Sequence, residues 1–285
     1  LDSFMNTPFL CDYFIIVNSD FQLYNKGKVY GQKKGDCMAE ELKGFRVKRI
    51  SQADSEKGLW EFDSFGERLK NASKVLIGIG GEWCKKDKGR IGTGYEALYE
   101  LVKGKDYFVV TTNTDAVIFD SLLESDRIVA PCGNVTWRQC SESCTKDIWE
   151  QGEIADDICP YCGAPLTGNT MEAKEYIEEG YLPQWRKYTG WLAGTMNRGL
   201  LILELGEGFR MPEVIRWPFE RTVQYNKKAF LYRVNQTFAQ LAEGIGDRAV
   251  SVKENSVEWV LSNQETYAKM LKNREKEKEN YDGNR

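Results

Sequence analysis

The sequence of 285 residues contains no histidine. This absence removes the commonest general base, the usual ligand of catalytic zinc and every Ser-His or Cys-His nucleophile pair. Any chemistry must therefore rely on carboxylates, thiols, lysines, amides or a bound cofactor.

Long apolar runs and long basic runs are also missing. The sequence has no run of eighteen apolar residues and does not begin with the basic-then-apolar pattern of a secretory signal, so we expect a cytoplasmic protein without a membrane partner. The formal net charge is −4, which argues against nucleic acid as the main partner. A hydrophobic fraction of 41% is enough for one large domain, or for a domain with a smaller insert.

Four of the eight cysteines form two close pairs. Three residues separate Cys140 from Cys144, two separate Cys159 from Cys162, and fourteen lie between the pairs. This spacing is typical of a tetrahedral zinc site built from one segment of chain. Four thiolates leave no position for a metal-bound water, so we expect structural zinc. The alternative is two disulfides or four free thiols.

Apolar segments alternate with helical patterns from residue 62 onward. Strands are predicted at residues 74 to 81, 107 to 111, 127 to 130, 199 to 206 and 229 to 235. Helices are predicted from the capping signals at Ser64 and Thr93, from Asp115 to Leu123, and at residues 171 to 179 and 183 to 192. This alternation predicts a parallel sheet with helices on both faces.

The chain divides into four predicted parts. Residues 1 to 61 form an extension in which residues 13 to 17 and 21 to 24 predict a β-hairpin. Residues 62 to 130 and 169 to 262 form the α/β domain, and residues 131 to 168 form the zinc module between its halves. Residues 263 to 285 are rich in lysine and glutamate, which predicts a solvated, fraying helix or, alternatively, an element that docks a partner.

Candidate binding residues follow three of the predicted strands. Ligands of open parallel sheets bind beyond the carboxyl ends of the strands, where residues without side chains let backbone N–H groups approach a phosphate. The residues at these ends are Gly78, Gly80 and Gly81, then Asn113 and Asp115, then Gly206 and Gly208. Ordinary glycine turns and an Asx turn with a helix cap are the alternative interpretations.

The order of these motifs resembles that of the sirtuin family of NAD-dependent protein deacylases, over residues 62 to 262. A glycine-rich strand end precedes a Thr-x-Asn-x-Asp segment, a Cys-Gly pair at Cys132, the four-cysteine module, a Gly-x-Gly strand end and a strand that runs into Asn235. The resemblance implies an α/β, sirtuin-like Rossmann fold with a small inserted zinc module.

The resemblance also implies an NAD site and a zinc site. In its terms Gly78, Gly80 and Gly81 hold the diphosphate, Asn113 and Asp115 line the pocket for nicotinamide and ribose, Gly206 and Gly208 lie near the adenosine phosphate, and Asn235 contacts the adenine-side ribose. Cys140, Cys144, Cys159 and Cys162 match the zinc ligands of the family.

Three departures from the family pattern bear on activity. Cys132 falls where sirtuins have their catalytic histidine, and an ordinary thiol with a pKa of about 8.5 accepts protons poorly at neutral pH. It is either an inert packed thiol or a base whose pKa is depressed by a cation such as Arg138. Glu207 replaces a hydroxyl residue and would repel a phosphate unless it turns away or pairs with Arg210. About thirteen residues between Gly80 and Gly94 replace the mobile cofactor loop.

The sequence thus predicts a divergent sirtuin-like protein that binds NAD. By resemblance it is an NAD-dependent protein deacylase or an ADP-ribosyl-transferring enzyme with weakened or lost deacylase activity, acting on an acylated or other protein substrate. Its candidate catalytic residues are Cys132, Asn113 and Asp115. The alternatives are a catalytically inactive, zinc-stabilised scaffold for a protein partner and a sensor that binds NAD or ADP-ribose without turnover.

Overall fold

The structure, a computed structural model, describes residues 24 to 25, 28 to 29, 58 to 84 and 88 to 282. The chain divides into two units, Leu1–Ser51 and Gln52–Arg285. In the first unit, β1 (Tyr24–Asn25) pairs antiparallel with β2 (Lys28–Val29). Nearly all of the hairpin predicted from residues 13 to 24 lies outside the described residues.

The second unit contains nine strands and five α-helices among its described residues. The strands are β3 (Lys74–Ile79), β4 (Asp106–Thr111), β5 (Ile128–Val129), β6 (Gly133–Cys140), β7 (Trp149–Glu150), β8 (Leu166–Thr170), β9 (Leu200–Leu205), β10 (Ala229–Val234) and β11 (Ala249–Val252). The helices are α1 (Phe65–Asn71), α2 (Lys88–Val102), α3 (Leu182–Ala193), α4 (Arg216–Tyr225) and α5 (Ser256–Asp282).

Six parallel strands form the central sheet in the order β11, β10, β9, β3, β4, β5. The four inner strands are apolar along almost their whole length and buried, because helices cover both faces. Apolar residues of α1, α2 and α5 pack on one face, and those of α3 and α4 pack on the other. This confirms the predicted α/β sheet and places the carboxyl ends of its strands along one edge.

The segment between β5 and β9 leaves this sheet and forms a second one. Strands β7, β6 and β8 pair antiparallel, with Gly133 opposite Thr170 and Cys140 opposite Leu166. The small sheet thus spans residues 133 to 170, close to the predicted insert of residues 131 to 168. Trp149 and Leu166 pack with two of its cysteines in a core of their own.

Two predicted helices are wrong. After Asp115, Ala116 has a left-handed backbone with φ of 66°, so only a 3-10 turn at Val117–Asp120 follows. Residues 171 to 177 form turns and bends, because the Gln139 side chain donates to the Glu175 carbonyl and accepts from the Ile177 N–H, groups that a helix would use.

Two other helices differ from prediction in where they begin. The N-terminus of α2 lies at Lys88, five residues before the predicted cap at Thr93, whose hydroxyl instead donates back to the Gly89 carbonyl. Helix α5 begins at Ser256 after an Asn255 cap and runs through residue 263 without a break. Within the described part of the chain, no helix is long and apolar enough to cross a membrane.

Candidate functional site

A cleft of about 810 Å³ opens at the carboxyl ends of the central strands. Its walls come from the turns after β3, β4, β9 and β10, from the first turns of α2 and α5, and from Met171 just after β8. This is the edge where parallel α/β sheets bind their ligands. A cleft of this size accommodates a ligand as large as a dinucleotide.

Five of the predicted cofactor residues line the cleft, and the others among the described residues do not. The lining includes Gly81, Asn113, Gly206, Gly208 and Asn235. Gly81 is exposed there, and a side chain in its place would meet no described atom within 4 Å. The backbone of Gly81 is therefore exposed to the cleft.

Gly78 and Gly80 serve packing within the protein. A Cβ on Gly78 would lie 2.5 Å from Ile215 and 2.7 Å from Phe219, so this glycine lets α4 lie close to the sheet. A Cβ on Gly80 would lie 2.4 Å from the Cα and 2.5 Å from the Oε2 atom of Glu207. Neither glycine lines the cleft, and at both positions the neighbouring residues leave no room for a side chain.

Asn113 and Asp115 have different surroundings although they are two residues apart. Asn113 is buried at the cleft, where its amide donates to the Gly80 carbonyl at 3.0 Å and its oxygen accepts from the Cys84 thiol at 3.1 Å. Asp115 lies outside the lining and accepts from the Val117 N–H at 3.2 Å, which is the Asx turn weighed above. Asn113, rather than Asp115, therefore lies at the cleft.

Glu207 turns into the cleft and is 3% exposed. Its Oε2 atom accepts a hydrogen bond of 2.6 Å from the Thr112 hydroxyl. Burial raises the pKa of this carboxyl to about 7, although the hydrogen bond from Thr112 acts to lower it. Pairing with Arg210, one of the two alternatives weighed for Glu207, does not occur, because that guanidinium pairs with Glu172 at 3.2 Å. The sequence indicates only that Glu207 would repel a phosphate, and it does not reveal the hydrogen bond to Thr112.

Asn235 supports the cleft by binding the main chain of the turns after β9 and β10. Its amide donates to the Glu207 carbonyl at 2.9 Å, and its oxygen accepts from the N–H groups of Thr237 and Phe238. Glu82, which sequence analysis did not single out, accepts from the Gln236 N–H and from Ser256 at the start of α5. Its carboxylate thus joins three parts of the rim at a helix N-terminus, where negative charge is stabilising.

Cys132 is buried, 2% exposed, and lies outside the lining of the cleft. Burial and the nearby Glu207 carboxyl raise the pKa of its thiol to about 12. The thiol is therefore protonated at neutral pH and cannot accept a proton from a ligand. Of the two predicted interpretations of Cys132, the structure favours the packed thiol.

The four paired cysteines converge as their spacing predicts. Their sulfur atoms all lie within 4.8 Å of one another, with 3.5 Å from Cys140 to Cys162 and 3.6 Å from Cys144 to Cys159. Four thiolates about 2.3 Å from one ion would be separated by about these distances. Gly163, just after the second pair, has φ of 75°, a left-handed conformation that suits a residue without a side chain. The donor set and its geometry fit a tetrahedral zinc ion.

Solved structures share this arrangement of sheet and insert. A Sir2 homologue in complex with NAD matches 72% of this chain and 93% of its own, with a TM-score of 0.52 and 12% identity. A mutant Sir2 homologue in complex with ADP-ribose matches 73% of this chain and 96% of its own, with a TM-score of 0.52 and 13% identity. The chain has a sirtuin-like fold. The resemblance drawn from the order of motifs is thereby confirmed at the level of the fold.

Two curated relatives of the chain have ADP-ribosyltransferase in their names. A protein ADP-ribosyltransferase of Staphylococcus aureus is 24% identical over 183 residues, which cover 58% of each chain. A probable bifunctional ADP-ribose hydrolase/ADP-ribosyltransferase of Fusarium oxysporum f. sp. cubense is 24% identical over 142 residues, 42% of this chain and 24% of the relative. The alignments thus span less than two thirds of either relative. No family model matches the chain.

Proposed function

We propose that the protein transfers the ADP-ribosyl group of NAD to a nucleophilic acceptor. One observation carries this proposal: the turns after four neighbouring strands bring Gly81, Asn113, Gly206 and Asn235 together around one cleft. The fold is that of Sir2 homologues with NAD and ADP-ribose, and relatives of the sequence are named as ADP-ribosyltransferases. NAD is then a substrate, which supplies a ribose carbon with nicotinamide as its leaving group.

The charges around the cleft suit a diphosphate at its rim. Arg90 and Arg210 belong to the lining, and each makes an exposed ion pair, with Glu258 and Glu172 respectively. Exposed pairs of this kind contribute about 0 to 1 kcal/mol, so a diphosphate can replace the carboxylate partner at small cost. The exposed backbone of Gly81 lines the same cleft.

Structural zinc is part of the same proposal. The ion would hold the two cysteine turns together and fix the small sheet that borders the cleft. Strand β8 leads into Met171 on the cleft wall, and the Val135 N–H of β6 donates to the Thr114 carbonyl at 2.9 Å. Loss of the ion would therefore disturb the cleft as well as the module.

Deacylation of an acyl-lysine, which the family resemblance implies, is a weak or absent activity in this proposal. That reaction needs a group at the position of Cys132 that accepts a ribose proton. The buried, protonated Cys132 thiol cannot do so. Loss of a positioned general base costs about 10²- to 10⁴-fold in rate.

A calorimetric titration with NAD, followed by an assay for released nicotinamide, tests the function. Saturable one-to-one binding with nicotinamide release is the expected result, and Asn113→Ala should weaken both. Glu254→Gln, an exposed carboxylate outside the cleft lining, is the matched control and should change neither. Binding without release would favour the sensor, and no binding would favour the scaffold.

A further inference from the structure

Glu207 belongs to the wall of the cleft, and its buried carboxyl packs against Gly80. It follows β9, and its hydrogen bond to Thr112 passes over the end of β3, which lies between β9 and β4 in the sheet. Residues on both sides of it, Asn113 and Asn235, line the cleft. A ligand that extends between these two amides must pass this carboxyl.

The main chain of Glu207 is held in place from two directions. Arg216 of α4 donates to the Glu207 carbonyl at 3.0 Å, and the Asn235 amide donates to the same oxygen at 2.9 Å. The absent side chain of Gly80 leaves the space that the carboxyl fills. Such fixed geometry is what a catalytic group requires, because positioning supplies a large part of the rate.

The surroundings of Glu207, and burial above all, raise the pKa of its carboxyl. Burial disfavours a negative charge there most strongly and Glu204 of β9 repels one, whereas the Thr112 hydroxyl, Arg216 and the Gly208 backbone N–H favour one. The Cys132 thiol, from the segment between β5 and β6, is protonated and adds no charge at neutral pH. A carboxyl with these neighbours changes protonation near neutral pH, as a general base should.

Transfer of an ADP-ribosyl group needs a base that the predicted residues do not provide. The acceptor loses a proton as it attacks, histidine is absent from the sequence, and Cys132 is protonated and outside the cleft lining. Glu207 and Glu82 are buried or half-buried carboxylates on the cleft wall. Glu82 accepts three hydrogen bonds from backbone and hydroxyl groups of the rim, which assigns it a structural task.

We infer that Glu207 is the general base of the reaction, which takes the proton of the acceptor as the ribose carbon is attacked; this inference rests on the proposed function. With water as the acceptor, its oxygen bonds to C1′ of the ribose and the bond from C1′ to nicotinamide breaks. The electron pair of that bond returns to the ring and cancels its positive charge. The water proton passes to the carboxylate and then to solvent. Thr112 is a positioning residue that holds the carboxylate.

The rate of NAD hydrolysis by the full chain, measured as nicotinamide release between about pH 5 and pH 9, tests this inference. For the wild type, the rate should rise with pH up to neutrality and then level off. Glu207→Gln should bind NAD at least as well in calorimetry, because a negative charge is removed. Its rate should fall about 10²- to 10⁴-fold, and the rise with pH should disappear.

Two further variants separate the catalytic role from a structural one. Glu254→Gln changes an exposed carboxylate outside the cleft lining and should keep the rate and the pH profile of the wild type. Glu207→Ala removes the carboxyl, and added formate should restore part of its rate without changing its affinity for NAD. A purely structural loss would not respond to formate.

The outcomes distinguish this inference from the proposed function. Wild-type binding and turnover with an undiminished rate in Glu207→Gln would overturn the inference alone. A reduced rate that keeps the wild-type rise with pH and ignores formate in Glu207→Ala would also overturn it. A wild type that neither binds NAD nor releases nicotinamide would overturn the proposed function, and the inference with it.

Discussion

The Thr112 hydroxyl donates a hydrogen bond of 2.6 Å to the Glu207 carboxyl and so joins the ends of β4 and β9 across β3. Gly80 at the end of β3 makes this bond feasible, because any side chain there would occupy the space of Glu207. One glycine, one hydroxyl and one carboxyl thus pack together at the ends of three neighbouring strands.

Gly80→Ala should destabilise the protein, whereas Gly81→Ala should not. A Cβ on Gly80 meets the backbone of Glu207 at 2.4 Å, and relief of such overpacking costs about 1 to 3 kcal/mol. The Cβ on Gly81 meets no described atom within 4 Å. Urea unfolding of the two variants measures the difference. Equal stabilities would show that the chain after β9 can move away from β3.

Glu207 should make stability depend on pH in a defined window. Its pKa is raised from 4.5 to about 7, so the folded protein holds a proton that the unfolded chain releases. The resulting stabilisation is complete below pH 4.5, falls as pH rises to about 7 and is lost above it, with a size on the order of 3 kcal/mol. The free energy of unfolding of wild type minus that of Glu207→Gln should follow this course. A constant difference across the window would contradict it.

Glu204→Gln should be strongly destabilising. Glu204 and Arg233 are each 1% exposed and make a two-bond ion pair of 2.7 and 2.8 Å, beside Arg216. Neutralising Glu204 leaves two buried guanidiniums, Arg233 and Arg216, with only the partly buried Glu220 as the remaining ion-pair partner of Arg233 among the described residues. Breaking a buried ion pair in this way costs about 3 to 5 kcal/mol. The exposed pair of Glu172 is the control, and its Gln variant should change the free energy of unfolding by less than about 1 kcal/mol. Similar losses in both variants would contradict the role of burial.

The four-cysteine cluster should hold one zinc ion per chain. Protein purified without added metal should contain it, and Cys162→Ser should lower both the zinc content and the melting temperature, because the ion ties two turns together. Cys84→Ser is the matched control, since Cys84 is a half-buried thiol outside the cluster. Metal-free wild type with an unchanged melting temperature would rule out structural zinc.

Cys132→Ala should leave nicotinamide release within about threefold of the wild type, because the thiol is buried and protonated. A general base would lose about 10²- to 10⁴-fold on removal. The measurement is the rate at saturating NAD in samples with matched melting profiles. A loss of a hundredfold or more would return Cys132 to the catalytic site.

Local chemistry in the sequence was enough to predict the parallel sheet and the four-cysteine cluster. Apolar runs such as the one that ends at Ile79 can be satisfied only by burial on both faces, so they predict inner parallel strands. The cysteine pairs are close in sequence, and their spacing alone limits where the sulfur atoms can point. The helix predicted after Asp115 failed because the left-handed Ala116 is not visible in a capping pattern.

The roles of the cleft residues were decided by contacts across the fold. By itself the sequence determined which residues end the strands, and therefore that Gly81, Asn113 and Asn235 share one edge of the sheet. Only the tertiary structure decided that Glu207 turns inward to Thr112, which is 95 residues away along the chain, and that Cys132 is buried. Such partners depend on the packing of distant strands and on exclusion of water, which no local pattern of residues encodes.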